Sequence, residues 1–244
     1  MSEPKIPGLL TFQLTGKIAH FKKYYSNISS LTYEVPPRTV ITGILASILE
    51  MPRDTYYETF SPQQSKIGVQ LLSPVRKQVS CMNYVKKEGG PTQVRLELLL
   101  PREERLRFRI YCWHENAELF DSLFHRCKNH NLGYGVYLGQ RAFRGYVEDA
   151  GMIPESDIQF LTDFSGKLDS LTFEENISGL SDTVGFDINS ASMPNTMRKI
   201  DVGREQDSMV NTVFEMSGKG VPGRFKEAFR VRDKTISFYT PFVS

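Results

Sequence analysis

Two adjacent prolines, Pro36 and Pro37, limit what the first part of this chain can fold into. A residue that precedes proline is pushed away from helical geometry, which disfavours a helix at Val35 and Pro36. Proline at a first helical position is tolerated, because its missing N–H would have had no partner there. The pattern therefore predicts a helix from about Pro37. Val40, Ile41, Ile44, Leu45, Ile48 and Leu49 recur at helical spacing as one buried stripe, and Gly43 permits close approach beneath it. Upstream, Leu10, Phe12 and Leu14 alternate with Thr11, Gln13 and Thr15, the period of a half-buried strand, before Gly16 turns the backbone.

The connection between this strand and helix is basic. Lys17, Lys22, Lys23 and Arg38 face a single acid, Glu34, so the segment nets +3. His20, Phe21, Tyr24, Tyr25 and Tyr33 are interleaved with the bases, and Ser26, Asn27, Ser29, Ser30 and Thr32 add neutral donors. A helix N-terminus carries unpaired N–H groups and a partial positive charge, so with Arg38 and Thr39 in its first turn the expected ligand is a phosphate or a chain of phosphates. A core helix that simply starts at Pro-Pro is the structural alternative.

Further along, Ile67 to Val75 reads as a short strand. A hairpin follows, with arms Gln78 to Val85 and Thr92 to Leu100 and a tip of Lys86, Lys87, Glu88, Gly89, Gly90 and Pro91. Its bases Arg76, Lys77, Lys86, Lys87 and Arg95 outweigh the single Glu88, and the tip is too polar to pack in its own domain. Leu106, Phe108, Ile110 and Cys112 alternate with Arg105, Arg107, Arg109, Tyr111 and Trp113, which gives a strand with a basic, aromatic outer face. Such a face can stack bases, or pair with acids on a neighbouring strand. A helix is expected from about Glu115 to His130 on the stripe Leu119, Phe120, Leu123, Phe124 and Cys127. Four glycines between Gly133 and Gly145 accompany Tyr134, Tyr137, Arg141, Phe143 and Arg144, and glycine lets backbone N–H groups approach a phosphate. Tight turns between strands use the same residues.

The order strand, helix, hairpin, strand, helix, strand predicts an α+β fold. It consists of a ferredoxin-like or RNA-recognition-type domain over residues 1–149, with an inserted β-hairpin at about 76–98, and a smaller β-rich portion over 150–244. Short alternating runs at Ile158 to Phe164, Ser208 to Met216 and Thr235 to Tyr239 belong to that second portion.

The net charge of +2 hides an asymmetry: residues 1–146 carry +8, residues 147–190 carry −9 and residues 191–244 carry +3. A basic first portion suits a polyanion, whereas the acidic stretch is either a solvated face or a contact for a basic surface. Three widely spaced cysteines, Cys81, Cys112 and Cys127, suit a reducing compartment, and the longest apolar run, Val40 to Leu49, is too short for a membrane span, so a cytoplasmic protein is expected. His20, His114, His125 and His130 make no ligand set, and no HExxH, GxSxG or Walker A lysine motif occurs, so no metal or cofactor is expected. A metal-independent ribonuclease would need only a base such as His20 or Tyr24 and a cation such as Lys22.

Several spaced motifs agree in order with one family. They include His20 to Tyr25, Ser29 to Tyr33, Pro36 to Thr39 and Gly43 to Ala46. Asp54 to Phe60, Pro74 to Lys77, Asn83 and Tyr84, Thr92 to Pro101 and Tyr137 to Gly139 follow. Over roughly its first 146 residues the chain resembles the Cas-five family of CRISPR-associated proteins in the RAMP superfamily, particularly its type I-B members. The resemblance implies a non-catalytic subunit of the Cascade surveillance complex that caps the 5′ handle of a CRISPR RNA in antiviral defence. Its partners would be that RNA, the backbone and large subunits, and target DNA indirectly through the complex. It also implies RNA contacts from Lys17, His20, Lys22, Lys23, Tyr33, Arg38, Thr39, Arg76, Lys77, Tyr137, Arg141 and Arg144. The hairpin would be a thumb on the neighbouring subunit, carrying Asn83, Tyr84, Lys86, Lys87 and Arg95. Some relatives cleave repeat RNA themselves, but the adjacent Lys-His pair found in some of those is absent here. The rival readings are a ribonuclease that processes repeat RNA and a protein-only scaffold.

Overall fold

The structure is a computed structural model that describes residues 6–24, 30–85 and 89–242. The expectations for Tyr25, Ser26, Asn27, Ser29, Lys86, Lys87 and the side chain of Tyr84 lie outside the described residues. The first part of the chain runs β1 (Gly8–Gly16), β2 (Phe21–Lys22), β3 (Thr32–Tyr33), α1 (Arg38–Ile48), β4 (Ser65–Leu71), β5 (Val75–Val85), β6 (Pro91–Pro101), β7 (Leu106–His114), α2 (Ala117–Lys128) and β8 (Gly145–Pro154). The remainder is β9 (Ile158–Leu168), β10 (Thr172–Phe173), β11 (Ile177–Leu180), β12 (Ile188–Ile200), β13 (Gly203–Glu215), β14 (Val221–Val231) and β15 (Lys234–Ile236). The protein is thus mostly β with two helices. No helix among the described residues is long and apolar enough to cross a membrane.

The central sheet has the order β4-β7-β1-β8 with every neighbouring pair antiparallel. Residue alternation gives it two different faces. Leu10, Phe12 and Leu14 of β1 join Phe108, Ile110 and Cys112 of β7 under α1 and α2, where Ile41, Leu45, Leu123 and Cys127 complete the main core. Asn116 starts α2 by accepting a hydrogen bond from the Leu119 N–H at 2.9 Å.

On the opposite face, Leu9, Tyr111 and Ile153 pack against Phe229, Val231, Ile236 and Phe238. Tyr111, on the β7 outer face that could either stack bases or pair with acids, is therefore covered by the C-terminal part, whereas Trp113 beyond it is only half-buried. Gly68 makes this approach possible: a Cβ there would lie 2.7 Å from the Ser237 carbonyl oxygen. The N–H groups of Tyr239 and Leu171 bond the carbonyls of Ile67 and Val69, both at 2.9 Å, and so occupy the free edge of β4.

Two further sheets, β10-β13-β12 and β11-β14-β15 with β9 on β14, form the β-rich remainder. The boundary expected at residue 149 falls inside β8, and Leu171, Met193, Phe214 and Tyr239 share the main core with β1 and α1.

The inserted hairpin exists, in register from Val75↔Pro101 to Val85↔Pro91. Its base has a home in the core, contrary to the expectation for the whole arm. Val75, Leu96, Leu98 and Leu99 are buried, and Ala19 and Leu99 exchange backbone hydrogen bonds at 3.0 and 2.8 Å. What projects is the part beyond about Gln78 and Arg95, with Val79, Asn83 and Arg95 exposed.

Candidate nucleic-acid interface

The helix begins where the prolines require, with Pro37 at the N-cap. Its first turn is not an open anion site. Arg38 is only 1% exposed and is spent on the protein itself: its Nη2 donates to the Phe60 carbonyl at 2.7 Å and to Ser65 Oγ at 2.9 Å, and Nη1 to the Asn195 carbonyl at 3.1 Å. Among the described residues no carboxylate pairs with it, and burial lowers its pKa to about 10, which still leaves it charged at neutral pH. The Tyr239 hydroxyl donates to the Pro36 carbonyl and closes the same end. The expectation that Arg38 grips phosphate is corrected: the guanidinium is a structural tie among three remote segments.

Two more expected RNA contacts are also turned inward. His20 is 1% exposed, with Nδ1 2.8 Å from the Glu97 carbonyl and Nε2 2.9 Å from Ser30 Oγ. Burial, partly opposed by the Glu97 hydrogen bond, lowers its pKa. Tyr33 is buried, its hydroxyl donating to the Ser192 carbonyl at 2.7 Å. Lys23 lies over the Tyr33 ring with Nζ 5.4 Å from its centre, while Lys22 is exposed beside it. Lys77 is half-buried in an ion pair with Glu34 and lies 3.8 Å from Glu97, locking the base of the thumb. Arg76 is exposed and reaches Gln78 at 3.0 Å.

The remaining expected residues gather around the glycine-rich segment. It is fastened on one side to α1, where the Tyr134 N–H bonds the Ser47 carbonyl at 3.1 Å and Ser47 Oγ bonds the Gly135 carbonyl at 2.7 Å. On the other side the His20 N–H bonds the Leu138 carbonyl at 3.0 Å. Gly139 must be glycine at this seam: its φ is +92° and a Cβ would lie 1.9 Å from the His20 carbonyl oxygen.

Each side of the segment holds a cleft. One, of about 490 Å³, is lined by Lys17 and Ile18, by Arg105, and by Phe143, Arg144 and Tyr146. The Arg144 guanidinium lies 5.7 Å from the centre of the 46%-exposed Tyr146 ring. Arg105 meets Glu148 only loosely, at 3.5 Å, and such exposed pairs exchange readily for a phosphate. Arg141 is exposed on the same loop. The other cleft, of about 340 Å³, brings Thr39 and Tyr137 together with Tyr56, Met197 and Arg204. Arg204 lies 3.5 Å from Asp54, whose carboxyl is held below its usual pKa first by the Tyr57 hydroxyl and then by Arg204 and Arg53.

Lys17 and Arg144 therefore meet in one cleft, with Arg141 exposed on the adjoining loop, and Thr39 and Tyr137 meet in a second, while His20, Tyr33 and Arg38 serve the fold. Sequence reasoning missed Tyr146, Tyr56 and Arg204 as site residues and placed Arg105 only on a strand face. Tyr146 was legible as an alternating position on β8, but nothing local marks Arg204. Among the described residues, no group of His, Cys, Asp and Glu could hold a metal ion.

No protein-family model matches the chain, and no curated protein matches it in sequence. Solved structures do resemble it. One is a chain of a CRISPR RNA-guided surveillance complex, 14% identical, with a TM-score of 0.51 over 86% of this chain and 90% of that one. Another is a CRISPR protein from Archaeoglobus fulgidus, 10% identical, with a TM-score of 0.57 over 94% of this chain and 98% of that one. At these identities the likeness is one of fold: the chain has the architecture of CRISPR-associated proteins, including a subunit of an RNA-guided surveillance complex.

Proposed function

We propose that this chain is an RNA-binding assembly subunit of a type I, specifically I-B, Cascade complex, that it holds the 5′ handle of the CRISPR RNA and that it cleaves nothing. The observation that carries this reading is the basic and aromatic cleft of Lys17, Arg105, Arg144 and Tyr146 beside the glycine-rich segment. Cations there can hold consecutive phosphates while Tyr146 offers a ring to an unstacked base, the combination by which single strands are bound. The sheet order β4-β7-β1-β8 around two helices is the ferredoxin-like arrangement of RNA-recognition domains, which supports the assignment to the Cas-five family. The thumb, rooted in the core and projecting beyond it with Val79 and Arg95 exposed, is suited to lie between this subunit and the next along the RNA. Contact with target DNA would then be indirect, through the backbone and large subunits, and the complex would work in the cytoplasm.

His20 argues against the ribonuclease reading. A general base needs an accessible nitrogen, and both nitrogens of this buried ring are already engaged. Purified protein incubated with labelled repeat RNA in EDTA is expected to leave it intact; a discrete cut would make the chain an enzyme.

The direct test is handle binding as a function of salt. With about five phosphates engaged at roughly 0.7 each, log affinity against log salt should fall with a slope near −3.5. A flat response, or assembly that proceeds equally well without RNA, would favour the protein-only scaffold. Crosslinks from handle nucleotides to the Lys17 and Arg144 peptides of a co-expressed complex are expected.

A further inference from the structure

A cleft of about 790 Å³ lies away from the glycine-rich segment, between the start of β4, the end of β7, the β12–β13 hairpin and the C-terminal tail. We propose that it is a second site, which takes one base of a single-stranded nucleic acid out of its stack. The inference goes beyond the handle reading, since none of the residues invoked here lines the Lys17 cleft.

Trp113, the sole tryptophan of the chain, lines the cleft half-buried, backed by Phe242 with ring centres 5.8 Å apart. A large ring held in place by a second ring is a stacking platform, and base stacking on such a platform is tolerant of sequence. Lys66 is 8% exposed; its Nζ donates to the Pro241 carbonyl at 2.6 Å and lies 5.6 Å from the centre of the Phe242 ring, which fixes one cation beside the platform.

The polar wall selects the class of ligand. Asn195 and Thr240 line the cleft, and Asn195 Oδ1 and Thr240 Oγ1 are buried atoms with no hydrogen-bond partner. Unpaired buried polar groups are destabilising, so an occupant that offers an N–H is favoured once these side chains rotate toward it. Asn195 Nδ2 donates to Ser208 Oγ at 3.3 Å, so Oδ1 is the atom left to accept from an exocyclic amine, one half of the amide–adenine pairing. Glu58 and Asp207 offset the charges of Lys66 and Arg198 in the lining, so the cleft does not attract a run of phosphates as the Lys17 cleft does. A flat heterocycle with an exocyclic amine meets all three demands: a ring to stack on, an acceptor to satisfy and a nearly neutral wall.

Trp113 makes the test direct, since its fluorescence reports this cleft alone. Six-residue oligoadenylate, as RNA and as DNA, is titrated into the whole protein beside oligouridylate and an abasic strand of the same length. The adenylate strands are expected to quench Trp113 saturably, the abasic strand not at all, and oligouridylate to bind about tenfold more weakly, the discrimination of one good amide–base pairing. Asn195→Ala and Thr240→Val, made separately and checked for unchanged thermal unfolding, should each weaken the adenylate response. The RNA and DNA arms distinguish a guide-side strand from a target-side one, and either response supports the site. No quenching by any base-bearing strand, equal quenching by the abasic strand, or a response untouched in both folded variants overturns it. So does saturable quenching by an aromatic peptide alone, which would make the cleft a protein-docking site. Lys17→Glu with Arg144→Glu should leave this response intact while weakening handle binding about thirtyfold, so the two readings fail separately.

Discussion

Arg38 and Arg144 belong to segments that look alike in sequence, each with bases interleaved with tyrosines near glycine or proline. The fold treats them in opposite ways. Arg38 is enclosed by carbonyl groups from residues 60, 65 and 195, whereas Arg144 stays exposed over Tyr146 beside Lys17 and Arg105. The difference lies in what arrives from elsewhere in the chain. The β12–β13 hairpin and the tail around Tyr239 close over the start of α1, and nothing among the described residues closes over the glycine-rich segment on its Lys17 side. A basic run thus reports the sign of a surface only where no remote element packs on it.

Removing each arginine should sharpen that contrast. Arg38→Ala strands several buried carbonyls and leaves a void, so it is expected to lower unfolding free energy by about 3–5 kcal/mol, measured by urea denaturation. If the variant unfolds like the parent but loses RNA, Arg38 belongs to the binding surface after all. Lys17→Glu with Arg144→Glu should do the reverse. Unfolding should be unchanged, handle affinity should fall about thirtyfold at moderate salt, and the magnitude of the salt slope should drop by about 1.4 for two lost phosphate contacts. A double variant that binds as the parent does would remove this cleft from the interface.

Much of the central sheet was legible because periodicity is local. The alternation in β1 and β7, the stripes of α1 and α2 and the hairpin at β5–β6 all follow from spacing alone. β12 was not legible: Ile188 to Ile200 contains Pro194, is rich in polar residues and projects from its sheet, so no clean two-residue period survives. The fate of His20, Tyr33 and Arg38 was hidden for another reason. Their partners, Glu97, Ser192 and Asn195, lie 77 to 159 residues away, and burial by a remote segment leaves no mark on the residue's own neighbourhood. The second cleft was hidden likewise, since Tyr56 and Arg204 meet only after β13 folds back over α1.

Lys77 tests the comparison at an intermediate position. As a candidate RNA contact its loss would weaken binding; as the partner of Glu34, whose side chain is 5% exposed, its loss leaves a buried carboxylate without compensation. Because Lys77 itself keeps 28% exposure, water can partly replace it, and Lys77→Ala is expected to lower stability by about 1–2 kcal/mol, with RNA affinity following only through the thumb.

The smallest effect concerns the two buried histidines. Burial lowers the pKa of both His20 and His114 below 6.5, so between each folded value and 6.5 the unfolded chain binds more protons. Their contribution to stability is therefore complete above pH 6.5 and is lost as the pH falls below it. The two should not contribute equally. His114 Nδ1 accepts from the Asn116 N–H at 3.0 Å while Nε2 faces the Thr59 carbonyl at 2.8 Å, so a second proton sets two donors against each other. His20 Nε2 faces the Ser30 hydroxyl, which can turn and accept instead. Comparing urea midpoints at pH 7.5 and 5.5, His114→Gln should flatten the acid loss more than His20→Gln. The opposite ranking would mean that the Ser30 hydroxyl is held as a donor, and that the region around His20 is more rigid than the surface cleft beside it.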